Sequence, residues 1–185
     1  IQVAFAFLSV GLTLKLALFP LHIWLPNAYT YAPSVVTAFI AATATKVSVY
    51  VFLRFVFTIF GADFAFGTMH IDYLLLPLAL AGIFVASAVA IYQSNLKKLL
   101  AYSSVAQIGY IMLGISFGTI TGLTAGIVHL FNHALMKGAL FLAVGSIFLR
   151  INSVQLDDLS GLGKRLPVTS FAFVLAGLGL IGVPL

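Results

Sequence analysis

The sequence predicts an all-α fold, a polytopic transmembrane helical bundle that forms a single membrane domain over residues 1–185. Of these residues, 62% are hydrophobic and 7% are charged, whereas soluble domains have roughly 45–50% and about 25%. The hydrophobic residues also occur in runs close to the ~20 residues that cross a bilayer. This composition excludes a water-soluble enzyme, a disordered tail and a nucleic-acid-binding protein.

Six hydrophobic runs predict about six spans. In chain order they cover residues 1–19, 34–60, 73–92, 96–117, 123–149 and 166–185. The chain starts and stops inside such runs, without a Met or a charged leader at its start. We therefore expect an internal fragment of a larger membrane subunit, with a truncated last span.

The first predicted helix is broken. Residues 20–33 are too apolar for an aqueous loop, yet they contain Pro20, Pro26 and Pro33. Proline removes a backbone hydrogen bond and disfavours helix at the preceding residue. We expect a helix interruption bounded by Pro20 and Pro26, followed by a short second half.

Loop charges predict the orientation. With one crossing per span, five cations fall on one side: Lys97, Lys98, Arg150, Lys164 and Arg165. The positive-inside rule makes this side cytoplasmic, and the net charge of +5 then reflects topology rather than nucleic-acid binding. A bacterial inner (plasma) membrane is the expected location. Lys97 and Lys98 are also candidates for the entrance of an ion pathway.

Two lysines lie inside predicted spans, where each costs about 2.5–3.5 kcal/mol on insertion scales. Lys15 precedes Pro20 by five residues, so we expect the last carbonyls of its helix to solvate its ammonium group. Lys46 lies about 18 Å along its helix, near the midplane. Such residues face a protein interior or a hydrated cavity and are typical of ion or proton pathways.

A third group follows on one later helix. His129, His133 and Lys137 recur every four residues and form a ladder roughly 12 Å long on one helix face. We expect this face to be hydrated and directed towards Lys46, and to pass protons. Two alternatives remain open: a metal site on the two histidines, which lacks an acidic third ligand, and simple packing.

The chain itself offers no catalytic chemistry, so whether it counts as an enzyme is uncertain. It contains no cysteine, and its four acidic residues are all aspartates outside the long apolar runs. Thiolate-held clusters and carboxylate pairs within the membrane are thereby excluded, and no cofactor or metal is expected. A redox activity would belong to partner subunits. A scaffold subunit without ion traffic is the other alternative, in which Lys15, Lys46 and Lys137 could be replaced by Met.

Several motifs resemble one family. They are KLALFPLHIWLPNA at 15–28, LKKLLAYSSVAQIGY at 96–110, HLFNHALMKGALFL at 129–142 and LSGLG at 159–163. The sequence resembles the proton-translocating antiporter-like subunits shared by respiratory complex I (M, N and L types) and Mrp-type cation/proton antiporters. Asn27 and the stretch from His133 to Gly138 favour a D-type Mrp subunit, and the alternative is an M- or N-type subunit of a proton-pumping NADH-quinone oxidoreductase.

The resemblance implies a full fold of about fourteen helices, two of them discontinuous, of which this chain is the middle. By position it makes Lys15, Lys46, His129, His133 and Lys137 members of a proton relay. The family's glutamate partner of the broken-helix lysine and its exit residue would lie outside this chain. The implied partners are protons, with Na⁺ or K⁺ as further candidates, the lipid bilayer and other membrane subunits of a hetero-oligomeric complex.

Overall fold

The computed structural model describes residues 1–183, and its helices follow the apolar runs of the sequence. Two π-helical turns, Arg54–Ile59 and Asp63–Thr68, and one 3₁₀ turn, Leu156–Leu159, connect the α-helices. The α-helices are α1 Gln2–Leu16, α2 Trp24–Tyr31, α3 Ser34–Leu53, α4 Ile71–Ile91, α5 Leu96–Ser116, α6 Ile120–Ile151, α7 Leu162–Arg165 and α8 Pro167–Ile181.

Helix ends coincide with capping residues. Asn95 and Thr119 precede α5 and α6, and their side chains accept hydrogen bonds from Lys98 N and Gly122 N, each at 3.1 Å. Asn152 ends α6 in the left-handed conformation, and Gly182 ends α8 in the same way. Short polar side chains and glycine therefore decide where the apolar helices stop.

The all-helical architecture is confirmed, but the count of about six spans is not. Four segments are long and apolar enough to cross a membrane: Ser34–Ile59, Ile71–Ile91, Leu96–Ser116 and Ile120–Ile151. Helices α1 and α8 have 15 residues each, or about 22 Å, which is less than the ~30 Å hydrocarbon core. The end of the last predicted span, residues 184–185, lies outside the described part of the chain.

The first helix is interrupted between Leu16 and Trp24. Ala17 turns into the left-handed region at φ 63°, and α2 then runs for eight residues. Pro26 lies inside α2, not at the boundary where we expected it. The first turn of a helix tolerates proline because its N–H groups have no intrahelical partner. Only Pro20 lies within the interruption itself.

Helix α5 forms the centre of the bundle and packs against α2, α4 and α6, while α3 packs against α6 and α1, and α8 against α6. Glycine allows the close approach of α5 and α6, because a Cβ at Gly122 would come within 2.5 Å of the Gly114 carbonyl oxygen. The loop after α6 is fixed to the α4–α5 turn by hydrogen bonds from Leu96 N to Val154 O and from Leu156 N to Ser94 O.

Candidate functional site

Lys137 is the most enclosed ionisable side chain of the site. It lies in the middle of α6 with no exposed surface. Its Nζ donates to the Leu100 carbonyl oxygen at 2.8 Å and to Ser103 Oγ, both on α5. Both acceptors are neutral, so the ammonium group is solvated without a counter-ion there. A buried ammonium is retained only at a cost in free energy, which makes a purely structural use expensive.

Lys46 is the second buried lysine and lies on α3, which packs against α6. Its Nζ donates to the Ala41 carbonyl oxygen of its own helix. Farther along the same helix, Tyr50 is exposed, as is Arg54 at the start of the π-helical turn. A polar stripe therefore leads from a buried amine to the perimeter of the described bundle.

His133 lies one turn before Lys137 on α6, the helix against which α3 with its Lys46 packs. The imidazole has no exposed surface, and both lysines are near enough for their charges to act on it. Neither ring nitrogen has a hydrogen-bond partner within residues 1–183. Buried polar groups in proteins are almost always paired with protein or with water. A buried imidazole beside two amines is suited to accept and pass on a proton.

His129 lies one turn away and closer to the perimeter. Its ring stacks on that of His133 with centroids 6.1 Å apart and planes 3° apart, and Nε2 lies 2.6 Å from Gln107 Oε1 on α5. It also borders a cavity of about 840 Å³ between α5, α6 and the end of α8, together with Asn132. The ladder thus runs from a fully buried lysine to a cavity.

Lys15 lies apart from this cluster. It is exposed on α1, and no hydrogen bond of its side chain is found in the described part of the chain. Two of the carbonyls that we expected to solvate it already accept other hydrogen bonds. Leu14 O accepts from the Trp24 indole at 2.9 Å and from Ala17 N at 3.1 Å, and Thr13 O accepts from Leu18 N at 3.0 Å.

Lys97 belongs to α5, and its ammonium group lies at the C-terminal end of α2. It is buried, and its Nζ donates to the Ala32 carbonyl oxygen at 3.0 Å and lies 5.9 Å from the centroid of the Phe148 ring. A positive charge is favoured at a helix C-terminus. Lys97 also lines a cavity of about 280 Å³ at the turn between α2 and α3. Lys98 is half-buried, and its backbone N–H bonds to the Asn95 cap.

Sequence reasoning missed two side chains of the candidate site. Ser103 contacts Lys137, and Gln107 contacts His129. Both lie on α5, four residues apart. That spacing places two polar side chains on one helix face, which is the same signal that identified the ladder on α6.

Comparison with known proteins identifies the family of this chain. The family described as NADH:quinone oxidoreductase/Mrp antiporter, transmembrane, matches residues 1–185. The chain belongs to this family. It is 43% identical over 181 residues to NADH-quinone oxidoreductase subunit N of Desulforudis audaxviator (strain MP104C), a match covering 98% of this chain and 36% of that protein. This membership makes the chain part of an integral membrane protein.

Two solved structures resemble this member of the NADH:quinone oxidoreductase/Mrp antiporter family. One is the Mrp complex from Dietzia sp. DQ12-45-1b, with a TM-score of 0.91 and 35% identity, covering 98% of this chain and 33% of that chain. The other is the membrane-bound sulfane sulfur reductase, an archaeal respiratory membrane complex, with a TM-score of 0.90 and 35% identity, covering 100% and 37%. The chain therefore spans about a third of the length of the proteins it matches.

Proposed function

We propose that this chain is the proton-relaying part of an antiporter-like membrane subunit, and that protons move along Lys46, His133, Lys137 and His129. One observation carries the proposal: Lys137 is fully buried, and its hydrogen-bond partners within residues 1–183 are the neutral Leu100 carbonyl and Ser103 hydroxyl. Family membership supports it independently.

The relay depends on the mutual repulsion of buried positive charges. Lys46 and Lys137 both act on His133, and the four aspartates of the chain lie at positions 63, 72, 157 and 158, outside this cluster. Two ammonium groups in such a place repel each other, so a proton arriving at one lysine favours release from the other. His133 lies where such a proton would pass. Water is the partner that we propose for its ring nitrogens.

Protons fit this cluster better than alkali cations do. The side chains of the relay present amine and imidazole nitrogens, which donate hydrogen bonds or carry positive charge. Na⁺ and K⁺ are bound instead by carbonyl and carboxylate oxygens. If the parent protein exchanges Na⁺ or K⁺, we propose that the cation uses a different route.

The proposal also includes three lysines outside the buried cluster: Lys15, Lys97 and Lys98. Lys15 would join the relay from the broken helix, with its partner in the remaining two thirds that the family's longer members have. Lys97 borders the cavity at the α2–α3 turn and is the stronger candidate for the entrance. Lys97, Lys98 and the loop from Arg150 to Arg165 would face the cytoplasm, across a bacterial inner membrane.

The parent assembly is proposed to be either an Mrp-type antiporter or a complex I-like oxidoreductase, in which other membrane subunits flank this one. Both readings use the same relay. Any oxidoreductase activity would reside in partner subunits, since this chain supplies no cysteine for a cluster. The genes next to the parent gene would distinguish the two assemblies.

The test is replacement of Lys137 by Met in the intact parent subunit. Lys137→Met gives an unbranched side chain one atom shorter and without the titratable amine, so we expect pH-gradient formation in inverted membrane vesicles to fall at least about tenfold while the complex still assembles. Lys164→Met is the matched control, because Lys164 is exposed on α7. Normal gradients in the Lys137→Met complex would support the scaffold alternative instead.

A further inference from the structure

Gln107 connects the ladder on α6 to the end of α8. Its Oε1 lies 2.6 Å from His129 Nε2, and its Nε2 lies 3.5 Å from the carbonyl oxygen of Leu180. Leu180 is the next-to-last residue of α8, which ends at Ile181 and is followed by Gly182 in the left-handed conformation. One amide side chain therefore touches an ionisable ring on one side and a helix terminus on the other.

The Leu180 carbonyl favours one orientation of this amide. A carbonyl oxygen only accepts hydrogen bonds, so the NH₂ group of Gln107 must point towards α8 and Oε1 towards His129. The opposite orientation would place two oxygens against each other. Because Oε1 also only accepts, His129 Nε2 must be the donor and must carry the proton in the neutral ring. Nδ1 is then the nitrogen that can accept another proton.

We infer that Gln107 is a positioning residue that fixes which nitrogen of His129 carries the proton, and that the end of α8 holds Gln107 in that orientation. The importance of Gln107 for transport rests on the proposed relay, whereas the contacts of Gln107 with His129 and Leu180 do not depend on it. The ionisable groups that face His129 are Tyr110 on α5, with ring centroids 6.2 Å apart, and His133 on α6 itself. Helix α8 has no ionisable side chain, so it acts on His129 through Gln107.

The arrangement has a conformational consequence. Moving the last turn of α8 away frees the amide to rotate, and its NH₂ group then donates to His129 Nε2. The ring proton moves to Nδ1, so the accepting and donating ends of the imidazole exchange places. A displacement at the end of α8 would thereby change which nitrogen of His129 accepts a proton and which one donates it.

Solid-state NMR of the purified parent complex, labelled with ¹³C,¹⁵N-histidine, tests this directly. The His129 signal is assigned by its loss in His129→Phe. We expect Nε2 of His129 to carry a proton in the unmodified complex and in Gln107→Glu, whose carboxylate faces Nε2 as an acceptor. In Gln107→Lys, whose ammonium only donates, we expect it on Nδ1. Gln93→Met is the control, because Gln93 bonds to Val89 on α4.

The outcomes separate this inference from the proposed function. The same His129 tautomer in the Glu and Lys variants, or Nδ1–H in the unmodified complex, would overturn the inference whatever the transport rate. If the tautomers change as expected, we also expect gradient formation to fall at least about tenfold in Gln107→Lys relative to Gln93→Met. Equal transport by both variants would instead argue against His129 as a relay member. The tautomer of the unmodified complex decides the case even if one variant fails to fold.

Discussion

At the scale of single residues, Lys46 shows how a relay differs from a fixed charge. It is buried on α3, and its charge acts on His133 across the interface with α6. Lysine can hold or release a proton according to its surroundings, whereas arginine stays charged throughout the accessible pH range. Replacing Lys46 by arginine therefore distinguishes a requirement for positive charge from a requirement for proton exchange.

We predict that Lys46→Arg stops transport. The guanidinium keeps the positive charge but cannot release a proton, so gradient formation in vesicles should fall at least about tenfold in an assembled complex. Lys46→His is the matched variant, because imidazole also exchanges protons and should retain part of the activity. Normal gradients with arginine at this position would assign Lys46 a purely electrostatic role.

Ser103 tests how Lys137 is held. Ser103→Ala removes one of the two acceptors of the ammonium group, and a hydrogen bond to a charged group contributes about 1.5–3 kcal/mol. We predict that transport falls roughly tenfold, since 1.4 kcal/mol corresponds to a factor of ten, as measured by initial rates of gradient formation. Ser116→Ala at the end of α5 is the control, because this buried hydroxyl bonds to Leu113. Equal rates in both variants would contradict the prediction.

At the scale of elements, the sequence predicted most helices but not how they end. Composition and periodicity were enough for α3 to α6, because each is a long apolar run. Helix α6 nevertheless extends over Ile120–Ile151, beyond the expected run of 123–149, since polar caps rather than hydropathy set its ends. Proline density indicated the interruption, but Pro26 was assigned to the wrong side of the restart.

The capping of α2 by Lys97 gives an element-scale prediction. Lys97→Met removes the charge from the C-terminus of α2. Among the described residues it leaves the Ala32 carbonyl with the Thr37 hydroxyl, whose single proton is shared with the Tyr29 and Pro33 carbonyls. We expect faster amide hydrogen exchange in the last turn of α2, by mass spectrometry of the parent complex. Lys97→Arg should preserve protection, because arginine also donates there. Lys98→Met is the control, and equal exchange in the Met variants at 97 and 98 would refute the cap.

At the scale of the whole molecule, the cluster is made by packing that a sequence does not display. Four-residue spacing placed His129, His133 and Lys137 on one face of α6, because that relation is local. The proximity of Lys46 to His133 depends on how α3 docks on α6, and the contacts of Ser103 and Gln107 depend on α5. Lys15 seemed equivalent in sequence, yet it lies exposed on α1.

The final prediction concerns where water enters the bundle. His133 and Ala86 are both fully buried, but the imidazole nitrogens of His133 have no hydrogen-bond partner within residues 1–183, whereas Ala86 lies in an apolar cluster with Leu100 and Phe141. Polar cavities hold water and apolar ones stay dry. Water near the lysines would satisfy the buried nitrogens and complete the path for protons.

We predict that a cysteine at position 133 reacts with a small hydrophilic thiol reagent at least about tenfold faster than one at position 86. The thiolate is the reactive form, and it needs the hydration that the lysine cluster provides. The chain has no cysteine of its own, so His133→Cys and Ala86→Cys can be compared in a parent subunit freed of any others, by labelling rates in membranes. Equal, slow labelling at both positions would mean a dry layer between Lys46 and Lys137, and protons could not cross it.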